Sequence, residues 1–166
     1  SVYFINEGGY GPLGAVGAGK ILEEFDTKSY DYLCAATGTG TMLAGLINAS
    51  GTNQHCVGIS ALKNNYSIEN EIKALLSVHK GFSINYDYHF GGYAKFTSSL
   101  IRFMNFWFEQ FLIPTDFVYT GKLFFAVNDL LQKKYFKEGS KLLLIHSGGL
   151  QGNRSLPKGT LIFPSN

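Results

Sequence analysis

Cysteine, proline and charge are all scarce in this chain. It has two cysteines among 166 residues, Cys34 and Cys56, and four prolines. So few thiols exclude a disulfide scaffold, and without a CxxC spacing they exclude the common structural zinc sites. Both cysteines sit in apolar, strand-like runs and read as buried, reduced thiols, which fits a cytoplasmic setting. Four histidines show no pair at ligand spacing, so no metal site is expected. Charged residues make up only 16% of the chain and the net charge is +2, with Lys and Arg scattered. That excludes a broad basic face for nucleic acid. The most apolar stretch, Phe103 to Ile113, carries Glu109 and is far too short to span a bilayer. Internal repeats and low-complexity runs are absent as well.

What is present is a core and an excess of rings. The apolar share of 45% is enough to build one ordinary domain. Aromatics reach 15%, with 14 Phe and 10 Tyr, which suggests a face buried against something other than this chain. Hydrophobic periodicity alternates between the two regular types. Helices are expected over 14–25, 42–48, 67–79, 98–111 and 122–135. Strands are expected over 30–36, 55–60, 82–88 and 141–146. The last is fully apolar and reads as central. The tail from Ser155 to Asn166 reads as an extended strand wrapping the domain, and Ser1 to Ile5 as the end of a strand or a linker. Strands separated by helices make the fold class α/β, three-layer αβα with a mostly parallel twisted sheet. In such sheets the loops at the carboxyl ends of the strands build the ligand site.

One of those loops is Thr37-Gly38-Thr39-Gly40-Thr41, between a buried strand and a helix. Glycines admit a ligand close to the backbone, threonines add short donors, and the helix start offers free N–H groups to an anion. A phosphate is the natural guest, although the loop has neither the Lys of a P-loop nor the spacing of GxGxxG. The plain alternative is a tight strand-to-helix turn. Ser147-Gly148-Gly149 follows the last strand and can face a flat heterocycle, or merely close that strand. Tyr119, in Phe117-Val118-Tyr119-Thr120-Gly121-Lys122, can present a phenol to the site, while Thr120 and Gly121 suit ordinary capping. Tyr93 ends the glycine-rich loop His89-Phe90-Gly91-Gly92-Tyr93 and stands beside a substrate or packs as a turn residue.

In this order, the GG-x-x-x-L-G-A-x-G opening, strand-TGTGT-helix, GGYAK, D-x-V-Y-T-G-K and strand-HSGG resemble one family. They are similar to fold type II (tryptophan-synthase-β-like) pyridoxal-phosphate enzymes, and within these to the 1-aminocyclopropane-1-carboxylate deaminase / D-cysteine desulfhydrase group. The resemblance covers nearly the whole chain. It implies pyridoxal 5'-phosphate as cofactor, with Thr37, Gly38, Thr39, Gly40 and Thr41 holding its phosphate and Ser147 bonding the pyridine nitrogen. It implies that Tyr93 and Tyr119 line the substrate side as catalytic residues. Thr120 matches the place where the cyclopropane-carboxylate deaminases carry a Glu; this departure leans the reading towards D-cysteine desulfhydrase.

The resemblance also implies a missing piece. The family's Schiff-base Lys lies upstream, in an Asn-Lys-x-Arg-Lys-like segment. None of Lys20, Lys63, Lys95 or Lys122 matches it. Residues 1–166 are thus expected to be the carboxyl-terminal, cofactor-binding portion of a deaminase or lyase for a small amino acid. That enzyme would be a homodimer and would be inactive without its amino-terminal part. Two readings remain beside this one: a doubly wound module that holds a phosphate ligand or nucleotide without catalysis, and a non-catalytic homologue.

Overall fold

The computed structural model describes residues 2 and 4–164. Among these, the regular elements in chain order are α1 (Pro12–Gly19), β1 (Tyr32–Thr37), α2 (Thr41–Ala49), β2 (His55–Ser60), α3 (Ile68–Ala74), β3 (Phe82–Asn85), α4 (Ser98–Phe111), α5 (Thr120–Gln132) and β4 (Leu142–Leu144). Three short 3-10 segments, Glu7–Gly9, Lys20–Glu23 and Leu150–Ser155, complete the set. The four strands form one sheet in the order β3-β2-β1-β4, and every pairing is parallel.

Side-chain alternation along the strands divides the core in two. Leu33 and Ala35 of β1 and Cys56 of β2 face a cluster with Ala15, Leu43, Leu46, Ile47, Ile68 and Ile72, which come from α1, α2 and α3. Cys34, Ala36, Val57 and Ile59 face the other way, onto Leu123, Phe124, Ala126 and Val127 of α5. α4 packs outside α5 through Leu100 and Met104, joined by Phe117 and Phe163. The fold is therefore the three-layer α/β arrangement expected, with all strands parallel.

Two expectations need correcting. β4 is an edge strand, paired only with β1. Its continuous apolarity reports that both faces are covered: Leu143 packs on the first cluster, Leu142 and Leu144 on the second. Coverage of two faces does not require a neighbour on both edges. The described part of the tail forms turns and a 3-10 segment, without a strand. It still wraps the domain, since Asn105 bonds Thr160 and Ile162, and Phe163 buries against Phe108. Residues 165 and 166 lie outside the described set. At the other end, residues 2, 4 and 5 are irregular, and residues 1 and 3 lie outside the described set.

Candidate functional site

The carboxyl ends of β1 and β4 open onto a cavity of about 400 Å³ lined by the 36–43 segment, Glu7, Gly8, Tyr93, Tyr119 and Ser147. The floor is the strand-to-helix loop. Gly40 caps α2 with φ +83°, a left-handed conformation that suits glycine. A Cβ there would also stand 2.5 Å from Ile72 Cγ1, so the position admits no side chain. Thr41, Met42 and Leu43, the first residues of α2, line the cavity, and amides at a helix start have no intrahelical acceptor. Behind them lies the positive end of the helix dipole. Asn65 steadies the loop by donating from Nδ2 to the Gly38 carbonyl at 3.1 Å.

The hydroxyls are arranged for a guest. Thr39 Oγ1 and Thr41 Oγ1 are 3.0 Å apart. Thr37 is 2% exposed and its Oγ1 has no hydrogen-bond partner within the protein. A buried hydroxyl left unpaired costs about 1–3 kcal/mol, and this one belongs to a residue of the cavity wall.

The roof is aromatic. A Cβ on Gly38 would lie 3.2 Å from the Tyr119 phenol oxygen, a tight approach, so the glycine lets that ring sit close over the loop. Tyr93 and Tyr119 pack edge to face with centroids 6.2 Å apart. Burial pushes the Tyr119 phenol's pKa up, and the neighbouring Tyr93, Asp116 and Glu7 push it the same way. The phenol thus keeps its proton well past neutrality. Ser147 closes the wall at the end of β4, before Gly148 and Gly149, both with positive φ.

The structure brings Thr37, Gly38, Thr39, Gly40, Thr41, Tyr93, Tyr119 and Ser147 to one cavity. Thr120 does not line it. That residue is fully buried, its hydroxyl donates to Asp116 Oδ2 at 2.6 Å and accepts from the Asp116 amide at 2.8 Å. Both functions of the hydroxyl are spent on the start of α5, which is the capping alternative.

Three contributors escaped the sequence reading. Asp116, 1% exposed, accepts from the amides of Val118, Tyr119 and Thr120 and so holds Tyr119 in place. Its spacing before Thr120, an Asp ahead of a helix start, was the available signal. Glu7 and Asn65 carry no local signal, since only the packing of distant segments brings Glu7 to the cavity and Asn65 to the Gly38 carbonyl. Among the described residues no three of His, Cys, Asp and Glu gather as metal ligands, and no helix is long and apolar enough to cross a membrane.

No family model matches the chain. Individual relatives do. A protein of Pyrococcus horikoshii with the provisional name 1-aminocyclopropane-1-carboxylate deaminase is 32% identical over 164 residues, covering 90% of this chain and 50% of the relative. A namesake from Pyrococcus furiosus is 30% identical with the same coverage. A 1-aminocyclopropane-1-carboxylate deaminase of a Bradyrhizobium species is 26% identical over 84% of this chain and 47% of its own length. A crystal structure described as an ACC deaminase homologue superposes with a TM-score of 0.80 and 31% identity, across 91% of this chain and 50% of that one. The chain spans about half the length of the curated relatives it matches. The resemblance seen in the ordered motifs is met by sequence and by fold: over nearly its whole length the chain is similar to half of proteins named 1-aminocyclopropane-1-carboxylate deaminase.

Proposed function

We propose that this chain is the cofactor-binding portion of a pyridoxal-phosphate-dependent deaminase or lyase acting on a small amino acid. The observation that carries the proposal is a cavity whose floor is the glycine-threonine turn at a helix N-terminus and whose roof is two tyrosines. A phosphate fits that floor: it is an anion with several acceptor oxygens, and the cup offers amides and three threonine hydroxyls. A flat ring fits the space beneath Tyr119.

When bound, pyridoxal 5'-phosphate supplies an electron sink for bonds broken at the substrate's α-carbon. This chain's residues do the rest of the holding. The amides around Gly38 to Thr41 and the hydroxyls of Thr37, Thr39 and Thr41 bind the phosphate. Ser147, at the cavity wall, would offer the ring nitrogen a neutral hydroxyl. A carboxylate there would keep the nitrogen protonated and deepen the sink; a hydroxyl gives a shallower one, which suits a good leaving group such as sulfide. Tyr119 Oη holds a proton at neutral pH beside the loop, and Tyr93 shields the cavity from the solvent side. The lysine that anchors the cofactor belongs to a segment outside residues 1–166.

Titration tests the reading directly. Pyridoxal 5'-phosphate should bind the chain, and inorganic phosphate should compete with it. With the lysine-bearing upstream segment present, the protein should turn yellow. Absence of colour at saturating cofactor would overturn the enzyme assignment, and binding without colour would favour the module that holds a phosphate ligand. On the whole enzyme, D-cysteine is expected to be turned over in preference to 1-aminocyclopropane-1-carboxylate; the reverse order would reject the desulfhydrase branch.

A further inference from the structure

Lys122 is the one lysine among the largest fully buried side chains, at 0% exposure, and no part of the proposed chemistry uses it. It sits in the first turn of α5. Its Nζ donates to the Gly92 carbonyl at 2.7 Å and to the Ala61 carbonyl at 3.2 Å. These acceptors belong to two segments far apart in sequence. Ala61 follows β2, and its amide bonds the Thr37 carbonyl at 3.0 Å, so the same residue ties to the start of the 37–41 loop. Gly92 lies in the loop that carries Tyr93.

That loop has little conformational preference of its own for the shape it holds. Phe90, Gly91, Gly92 and Ala94 all have positive φ, at 52°, 102°, 118° and 50°. For Phe90 and Ala94 this backbone region is unfavourable and persists only where surroundings impose it. Locally the loop has the Gly91 amide on His89 Nδ1 and the Gly92 and Lys95 amides on nearby carbonyls. Those bonds close the turn upon itself. Against α5 the loop is held at its start by Phe90, packed edge to face on Phe125 at 4.9 Å, and at Gly92 by Lys122. A buried amine carries a desolvation cost that an apolar residue of equal length would avoid; what the lysine adds is two donors that join separate segments. Charged or neutral, the amine has hydrogens enough for both carbonyls.

We infer that Lys122 is a positioning residue, a latch that fixes the 90–95 loop to the carboxyl end of β2 and thereby sets Tyr93 against Tyr119 over the cavity. The ligand consequence rests on the cofactor reading above; the mechanical part does not. Its test is Lys122→Met in the chain as it stands, followed by amide exchange and by ligand titration. Exchange at Gly91, Gly92 and Lys95 should speed up about tenfold, the factor that one net hydrogen bond of about 1.4 kcal/mol represents, while the amides of β1 and α2 hold their rates. Affinity for inorganic phosphate should stay within about twofold, whereas affinity for pyridoxal 5'-phosphate, whose ring reaches the tyrosines, should fall about tenfold by the same conversion. In a Tyr93→Ala background the same change should cost little, because the residue being positioned is gone. Should Lys122→Met fail to fold, Lys122→Gln, which keeps a donor, takes its place. Unchanged exchange in the loop, or equal acceleration across the whole chain, would overturn the latch. Failure of the unaltered chain to bind pyridoxal 5'-phosphate would count against the cofactor reading alone, since the exchange comparison still decides the latch.

Discussion

Asp116 shows how one side chain can set a site without touching a ligand. Its Oδ1 accepts from Val118 N at 2.9 Å and Tyr119 N at 2.8 Å, and its Oδ2 from Thr120 N at 2.9 Å and Thr120 Oγ1 at 2.6 Å. Four bonds on one buried carboxyl group cap α5 from a position upstream of the usual cap residue. Asp116→Asn replaces one acceptor oxygen with an amide donor facing donors. The expected cost is about 2 kcal/mol, within the range for a buried unpaired polar group. It should appear as a lower urea midpoint at constant m; a midpoint unmoved would show the cap to be dispensable. In the sequence, Thr120 attracted a cofactor role because it stands where relatives of the expected type carry Glu. Its buried bonds to Asp116 were invisible there, because they depend on how the chain before α5 turns back on itself. The strand-to-helix turn over 37–41 was legible because glycine, threonine and a helix start act through adjacent residues.

At the scale of elements, close approach governs α1 and α2. A Cβ on Gly45 would stand 2.2 Å from the Ala15 carbonyl and 2.8 Å from Ala18 Cβ. The Ala15 backbone oxygen cannot rotate away as a flexible side chain could. Gly45→Ala should therefore push the helices apart and destabilise the fold by about 1–3 kcal/mol, despite alanine's better helix propensity. Chemical denaturation measures this, and a gain in stability would mean that the helices can separate freely. Element bounds were legible where the signals are local. α4 begins after Thr97, whose Oγ1 accepts from the Leu100 amide, and ends at Leu112 with φ 56°. They were not legible where a distant residue intervenes. α3 stops at Ala74, short of the expected 79, because Asn48 takes the Leu75 carbonyl and the Ser77 amide at 3.0 and 2.8 Å. β3 stops at Asn85, where the side chain accepts from the Asp87 amide and turns the chain out of the sheet.

For the molecule as a whole, the buried amine makes stability depend on pH. Burial pushes Lys122 down from 10.5 to about 8, with nearby Asp116 opposing the shift. Between those values the unfolded chain binds a proton that the fold has released, so stability rises with pH across that window. The full gain is about 3 kcal/mol, at 1.36 kcal/mol for each unit. Cys34 and Cys56 act in the opposite sense: burial raises them to about 12 and about 11, so the unfolded chain ionises first and stability falls as pH climbs past 9. The contrast between the unaltered chain and Lys122→Met cancels the thiols. That difference should move in favour of the unaltered chain from pH 8 to 10.5 in urea unfolding; a flat difference would mean an ordinary lysine.

The strand order has a temporal meaning. β4 pairs with β1, and Lys141 N donates to Asp31 Oδ2 across 110 residues of sequence. The cup that receives an anion is written early in the chain, whereas Tyr93, Tyr119 and Ser147 arrive one after another behind it. A growing polypeptide therefore carries a bare cradle until its final strand has docked, and such non-local pairing is slow. The cavity has all its walls only at the end of assembly, after the last strand has docked.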